Sequence, residues 1–260
     1  MNLELLAKIK QDVLSIPYEK KLFSEEYAGV YLHSNSPFKL EDHEASFHSF
    51  RVFSHYDYPI YLFIDSESYT LDVVKLKEKY DHIHVLFINK LNSVVEFNYF
   101  SIYNLPHLIP AEQLIYFQYD GFLIKGGWEE RTIGLDWLGA KWKSPVKVIE
   151  NTLNYSAIRI GNGGCNFRRK SKMLEVLKFV DKHGGQGNIV KGIEIDGRVA
   201  NQGSFLAEDL FFCYFGFGSK IFNTVPEYEK YVDHFALEPI TWEQYNLNPK
   251  PCHLFHRIDE

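Results

Sequence analysis

The sequence predicts an α/β protein, a mainly parallel central sheet flanked by helices in a single domain. Three observations predict it. Short apolar runs alternate with stretches of helical spacing, which argues for successive βαβ units. Several runs end on polar or acidic residues, as strands do where their carboxyl ends face a ligand crevice. The 260 residues suffice for one large α/β domain or two small ones, and the absence of any repeat, low-complexity segment or clear linker favours one.

The elements follow in order. Met1 to Leu14 reads as an amphipathic helix with interspersed charges and lacks the apolar stretch of a signal peptide. Residues 28–34 form a buried strand ending in polar residues. A helix through Glu44, Ala45, Ser46 and Phe47 follows the loop at Pro37. Ile60 to Ile64 is a second strand, closed by Asp65. Leu71, Val74, Leu76 and Tyr80 set a helix, and His84 to Ile88 a third strand. Tyr99 to Leu108 is helical and stops near Pro110. Gln113 to Tyr119 is the next strand, with Asp120 at its carboxyl end. Gly161 to Gly164 reads as a tight turn. Ser171 to Phe179 and Glu208 to Tyr214 read as helices, and the glycine-rich Lys182 to Gly203 as a long loop.

Composition excludes several classes. Hydrophobic residues make up 45% and charged residues 24%, so the chain is globular rather than disordered. The 17 Tyr and 21 Phe supply a large core and leave rings to line a pocket. A formal charge of −6 removes a chain-wide electrostatic case for nucleic acid. Arg168, Arg169, Lys170 and Lys172 form one local basic cluster, read as the solvated start of a helix or as an anion contact. The three cysteines make neither a disulfide framework nor a zinc pattern, which suits a reducing compartment. No run approaches the roughly 20 apolar residues of a membrane span, so the expected location is cytoplasmic, with at most peripheral contact with a membrane.

Candidate chemistry rests on four places. Asp120 alone would cap a turn, but at a strand's carboxyl end it suits a hard ligand for Mg²⁺ or Mn²⁺ bridging diphosphate oxygens. The glycine cluster permits close approach of backbone to a ligand, and Asn162 offers a side-chain amide to an acceptor hydroxyl. Glu208 and Asp209 open a helix, where acids are favoured by about 0.3–1 kcal/mol, and either carboxylate could deprotonate an acceptor. His253 and His256 stand late in the chain, where one could meet a metal or a diphosphate.

In this order the chain resembles the GT-A-fold glycosyltransferases. Tyr116-Phe117-Gln118-Tyr119-Asp120, Trp137 to Trp142, Ile160 to Arg169 and Glu208-Asp209 are similar to a group of mostly microbial glycosyltransferase-like proteins, over roughly Tyr99 to His256. The resemblance implies one GT-A-type, Rossmann-like domain over 1–260. Residues 1–27 would be an N-terminal helical segment, 28–125 a nucleotide-binding half and 126–260 an acceptor-binding half. It implies a nucleotide-sugar donor, usually UDP-linked, a glycan or glycolipid acceptor, and Mn²⁺ or Mg²⁺. Asp120 would hold the metal with His256 or His253. His33, Ser34, Asp65, Gln118, Gly163 and Gly164 would lie by the donor. Asp209 or Glu208 would be the base if the reaction inverts. Independently of the resemblance, Trp137 and Trp142 could floor an acceptor sugar site beside Asn162 or pack in the core. The family's first acid is replaced by Gln118, so metal dependence is an expectation. The alternatives are a non-catalytic binder of nucleotide-sugars or glycans on the same fold and, ranked last, a metal-dependent phosphohydrolase.

Overall fold

The computed structural model describes residues 3–123, 126–151, 157–185, 190–195, 198–200 and 206–223. Among the described residues eight strands form one sheet: β1 (Tyr27–His33), β2 (Ile60–Asp65), β3 (Ile83–Ile88), β4 (Gln113–Phe117), β5 (Trp137–Asn151), β6 (Ala157–Arg169), β7 (Val190–Ile195) and β8 (Arg198–Ala200). Their order is β3-β2-β1-β4-β6-β5-β7-β8. The first four are parallel, and β6 then continues the sheet antiparallel. The α/β class and the parallel core agree with the sequence, and the antiparallel strands extend that core.

The parallel half is legible because β1 is buried on both faces. Every residue of it except His33 is inaccessible, as expected of a central parallel strand. Edge strand β3 is instead largely half-buried, with His84 and Phe87 exposed. The helices are α1 (Leu3–Leu14), α2 (Leu40–Phe53), α3 (Leu71–Lys79), α4 (Val94–Tyr99), α5 (Leu105–Leu108), α6 (Trp128–Thr132), α7 (Lys170–Lys182) and α8 (Glu208–Gly218). Thr70 caps α3 by accepting from the Asp72 N–H. Ser93 caps α4 by accepting from Glu96 N–H, while the Glu96 carboxylate takes the Asn92 N–H at 2.8 Å. A π-helical turn, Phe100–Asn104, joins α4 to α5. Below β1, an aromatic core of Tyr27, Phe50, Tyr58, Phe117 and Trp128 packs with ring centroids 4.9–6.4 Å apart.

Two expectations fail here for one reason. Gly161 to Gly164 is not a turn but lies inside β6, and the expected loop Lys182 to Gly203 contains β7 and β8. In both cases β5 supplies a neighbouring strand, and its distant pairing overrides a local glycine signal. The glycines mark an irregularity instead: the β5–β6 register shifts between Gly139 and Ala140. Among the described residues no helix is long and apolar enough to cross a membrane.

Candidate functional site at the carboxyl ends of β1 and β4

Strand order places β1 between β2 and β4, so the chain leaves β1 in one direction and returns on its other side. Ligands of open α/β sheets bind at such a switch point, outside the carboxyl ends. A cavity of about 1000 Å³ lies there. Tyr31, His33 and Ser34 line it from β1 and the loop beyond, Gln118 and Tyr119 from the turn after β4, and Lys10 from α1.

The floor is aromatic and uncharged. His43 stacks on Phe38 at 4.3 Å and its Nδ1 pairs with the Tyr31 hydroxyl at 2.6 Å. Burial, then the nearby His33 and Lys10, push the His43 imidazole down to about 3, so it is neutral at neutral pH. Burial likewise lowers His33, whose Nε2 pairs with the Ser36 carbonyl at 2.8 Å. Lys10 and Lys39 are cations of the wall, and Lys10 is the one held in place. It donates to the Asp42 carbonyl at 2.6 Å and stands 5.8 Å over the Tyr119 ring. Burial lowers its pKa, while Asp42 and Asp120 hold it up.

Asp120 sits half-buried on a turn, in which Gly121 N–H donates to the Gln118 carbonyl at 3.0 Å. Gln118 N–H donates to the Gly164 carbonyl at 2.9 Å, so β6 fixes the turn. Gly164 therefore acts as a backbone support, and Gly163 lies beside it in β6. The Asn162 and Trp142 side chains, and His253 and His256, lie outside the described residues.

Three expected site residues have other work. Asp65 is 1% exposed, and its carboxylate accepts five hydrogen bonds, from Ser34 and Ser68 hydroxyls and from the N–H groups of Asn35, Glu67 and Ser68. Burial alone would raise its pKa, but those bonds hold it well below the usual range. It is thus a fastener of the 34–36 loop rather than a free donor contact. Ser34 shares the role: its hydroxyl also accepts from Leu91 N–H at 2.9 Å. Trp137, expected under a sugar, is 1% exposed and stacks on Phe222. Its large apolar ring went to the core.

Glu208, a candidate base, is 4% exposed and takes Arg168 Nη2 on its two oxygens at 2.8 and 3.2 Å. The Arg168 guanidinium is itself held between the Tyr116 and Trp137 rings, 4.2 and 4.6 Å away. Asp209 is different. It is half-buried on the first turn of α8, with Oδ1 accepting from Leu210 N–H at 2.7 Å. The Glu208 N–H meets Asn98 Oδ1 at 3.4 Å, and the adjacent Phe97 lines the cavity, so α8 begins at the cavity wall. Lys10, Tyr31 and His43 escaped the sequence reading, and Arg168 entered it only as part of the basic cluster, not as the partner of Glu208. Only Leu6 and Lys10, four apart on one helical face, gave a signal.

The fold and this crevice define a doubly wound α/β protein with a ligand cavity at its switch point. The chain belongs to the family described as "Protein of unknown function (DUF5672)", whose model matches residues 76–253. No curated protein matches it. It is similar to solved structures of S. aureus TarS 1-349 in complex with UDP and of mouse Xyloside xylosyltransferase 1. Both are 12% identical with a TM-score of 0.44, covering 76% and 83% of this chain and 56% and 94% of theirs. It is also similar to the glycosyltransferase GlyE of Streptococcus pneumoniae TIGR4, 11% identical with a TM-score of 0.41, covering 88% of this chain and 53% of that one. The chain thus spans about half the length of the TarS and GlyE chains.

Proposed function

We propose that the protein is a glycosyltransferase that moves a sugar from a nucleotide-linked donor, UDP-sugar first, to a hydroxyl of a glycan acceptor. The observation that carries the reading is the position of Asp120: on a turn beside the cavity at the β1/β4 switch point, fixed by the glycine segment the family resemblance singles out. The nucleoside would occupy the aromatic cavity, with Lys10 and the His33 to Ser36 loop at its wall.

Asp120 fits a divalent metal. Mg²⁺ and Mn²⁺ need only one or two protein carboxylates when phosphates and water fill the other positions. Bound there, the ion would supply charge against the developing diphosphate. The chain's own residues do the rest. Asp209 takes the proton of the acceptor hydroxyl as its oxygen bonds to the anomeric carbon and the bond to the diphosphate breaks. The α8 N-terminus, which begins at the cavity wall, favours negative charge on that side. Arg168 and Glu208 hold α8 against β6 and so set where Asp209 stands.

Calorimetry with UDP and other nucleoside diphosphates, with and without Mn²⁺, tests the reading. Metal-dependent UDP binding, lost in Asp120→Ala, supports it and justifies screening UDP-sugars for turnover. No binding by folded protein overturns the donor site. The second reading, a binder without transfer, is favoured by Gln118 in place of the first acid. It requires binding with no turnover for any donor and acceptor.

A further inference from the structure

We propose that His55, Glu129 and Glu130 form a site for a divalent transition-metal cation, Zn²⁺ first, at the end of the sheet opposite the cavity. His55 lies in the loop between α2 and β2, and the two glutamates in the first turn of α6. The Tyr27 hydroxyl at the amino end of β1 donates to the Glu129 carbonyl at 3.1 Å, whereas the cavity opens at the strand's other end. The site is therefore separate from Asp120 and does not rest on the proposed activity.

Geometry supports it first. One ligand atom from each residue lies within 4.8 Å of the others. His55 Nδ1 and Glu130 Oε1 are 3.3 Å apart. A tetrahedral zinc with bonds of about 2.0–2.1 Å sets its ligand atoms about 3.3 Å apart. An exposed ion pair would account for that contact alone, since such pairs form readily at surfaces.

It would not account for Glu129. This side chain is 7% exposed. Its Oε1 accepts the His55 N–H at 2.7 Å, which turns the carboxylate toward the residue that offers the imidazole. Its Oε2 is buried without a hydrogen-bond partner. A buried carboxylate oxygen left unpaired is costly, and a cation removes that cost. The Tyr58 phenol interacts with the Glu129 carboxylate, which adds to the upward push of burial on the phenol, but no donor meets hydrogen-bond geometry at Oε2. Lys21, the nearby ammonium, is occupied by the carbonyls of Arg51, Val52 and Ser54.

The ligand set chooses the metal. One imidazole nitrogen and two carboxylate oxygens suit Zn²⁺ with a water as fourth ligand. Mg²⁺ and Ca²⁺ prefer oxygen alone. Bound there, the ion would clip the α2–β2 loop to α6.

The test is equilibrium dialysis of the full chain against Zn²⁺ alone, without nucleotide. Cys252, His253 and His256 offer other ligands in the sequence, so the readout is a difference between proteins. Wild type should hold one more equivalent than His55→Ala and than Glu130→Gln, both exposed changes that leave the core intact. In an Asp120→Ala background, adding His55→Ala should still remove one equivalent. Zn²⁺ should raise the Tm of wild type more than that of His55→Ala. Equal stoichiometry in wild type and both variants would overturn the site, as would equal stoichiometry in Asp120→Ala with and without His55→Ala. Co²⁺ spectra give a second reading, since a visible band present in wild type should vanish in His55→Ala.

Discussion

The Gly164 carbonyl fills the place that a Cβ on Gly121 would take. A methyl there would stand 1.7 Å from the Gly164 oxygen and 2.5 Å from its carbonyl carbon. That oxygen also accepts the Gln118 N–H at 2.9 Å. Two glycine-bearing segments far apart in sequence thus meet, and their contact displays Asp120.

Gly121→Ala should therefore be among the most damaging single changes. Backbone cannot yield as a side-chain tip does, so the cost should reach about 3 kcal/mol, the top of the usual overpacking range. Gly134→Ala is the control. Gly134 has φ +79° but nothing within 4 Å, so only conformational strain of about 1–2 kcal/mol applies. Urea midpoints at unchanged slope measure both, and equal losses would show that the Gly121–Gly164 contact is not tight.

Glu208 and Asp209 are neighbours with opposite expected behaviour. Glu208→Gln leaves the Arg168 charge buried with a weakened partner and should cost about 3 kcal/mol, the lower end for broken buried pairs. Replacing the pair together, Arg168→Met with Glu208→Leu, should recover much of that loss. Asp209→Asn should change Tm little, leave UDP binding intact and abolish transfer. Full turnover by Asp209→Asn would remove it as the base.

Asp65 gives a pH prediction. Its folded pKa is depressed, so its stabilisation is full above the unfolded value of about 3.9. It is lost as pH falls from about 5 toward the folded value. Asp65→Asn keeps the shape but exchanges a charged acceptor for a neutral one, costing about 2–3 kcal/mol at neutral pH. Between pH 5 and roughly pH 2 the gap between wild type and variant should shrink. Denaturant titrations across that range measure it. A gap that stays constant would mean the carboxylate is not charged and fastened as described.

What the sequence exposes and what it hides divide along sequence distance. The parallel strands were legible because burial on both faces makes β1 and β2 continuous apolar runs. The place of Asp120 just after β4 was legible because it follows such a run. The Glu208–Arg168 pair was not, since only the pairing of β6 with β4 and β5 brings Arg168 under α8. Trp137 misled for a related reason. Its indole suits a sugar platform or a core, and the choice depends on Phe212 and Phe222, far along the chain. The glycine run of β6 promised a turn, because nothing local reveals the strand on either side of it.

Lys10 carries the last prediction, which rests on the donor site. Its ammonium is half-buried at the cavity wall, and Asp42 and Asp120 keep it charged against the pull of burial. Such a cation can reach a diphosphate without any metal, and charge-assisted bonds of this kind exceed neutral ones. Lys10→Met keeps the aliphatic stem that packs beside Tyr119 and removes only the charge. UDP affinity should fall about tenfold, equivalent to about 1.4 kcal/mol, and its dependence on salt should weaken. Mn²⁺ binding at Asp120 should tighten in the same variant, because a competing positive charge is gone. Calorimetric titrations of wild type and Lys10→Met with UDP and with Mn²⁺ separate the two effects. Unchanged UDP affinity with unchanged salt dependence would place the diphosphate away from Lys10 and move the donor out of this cavity.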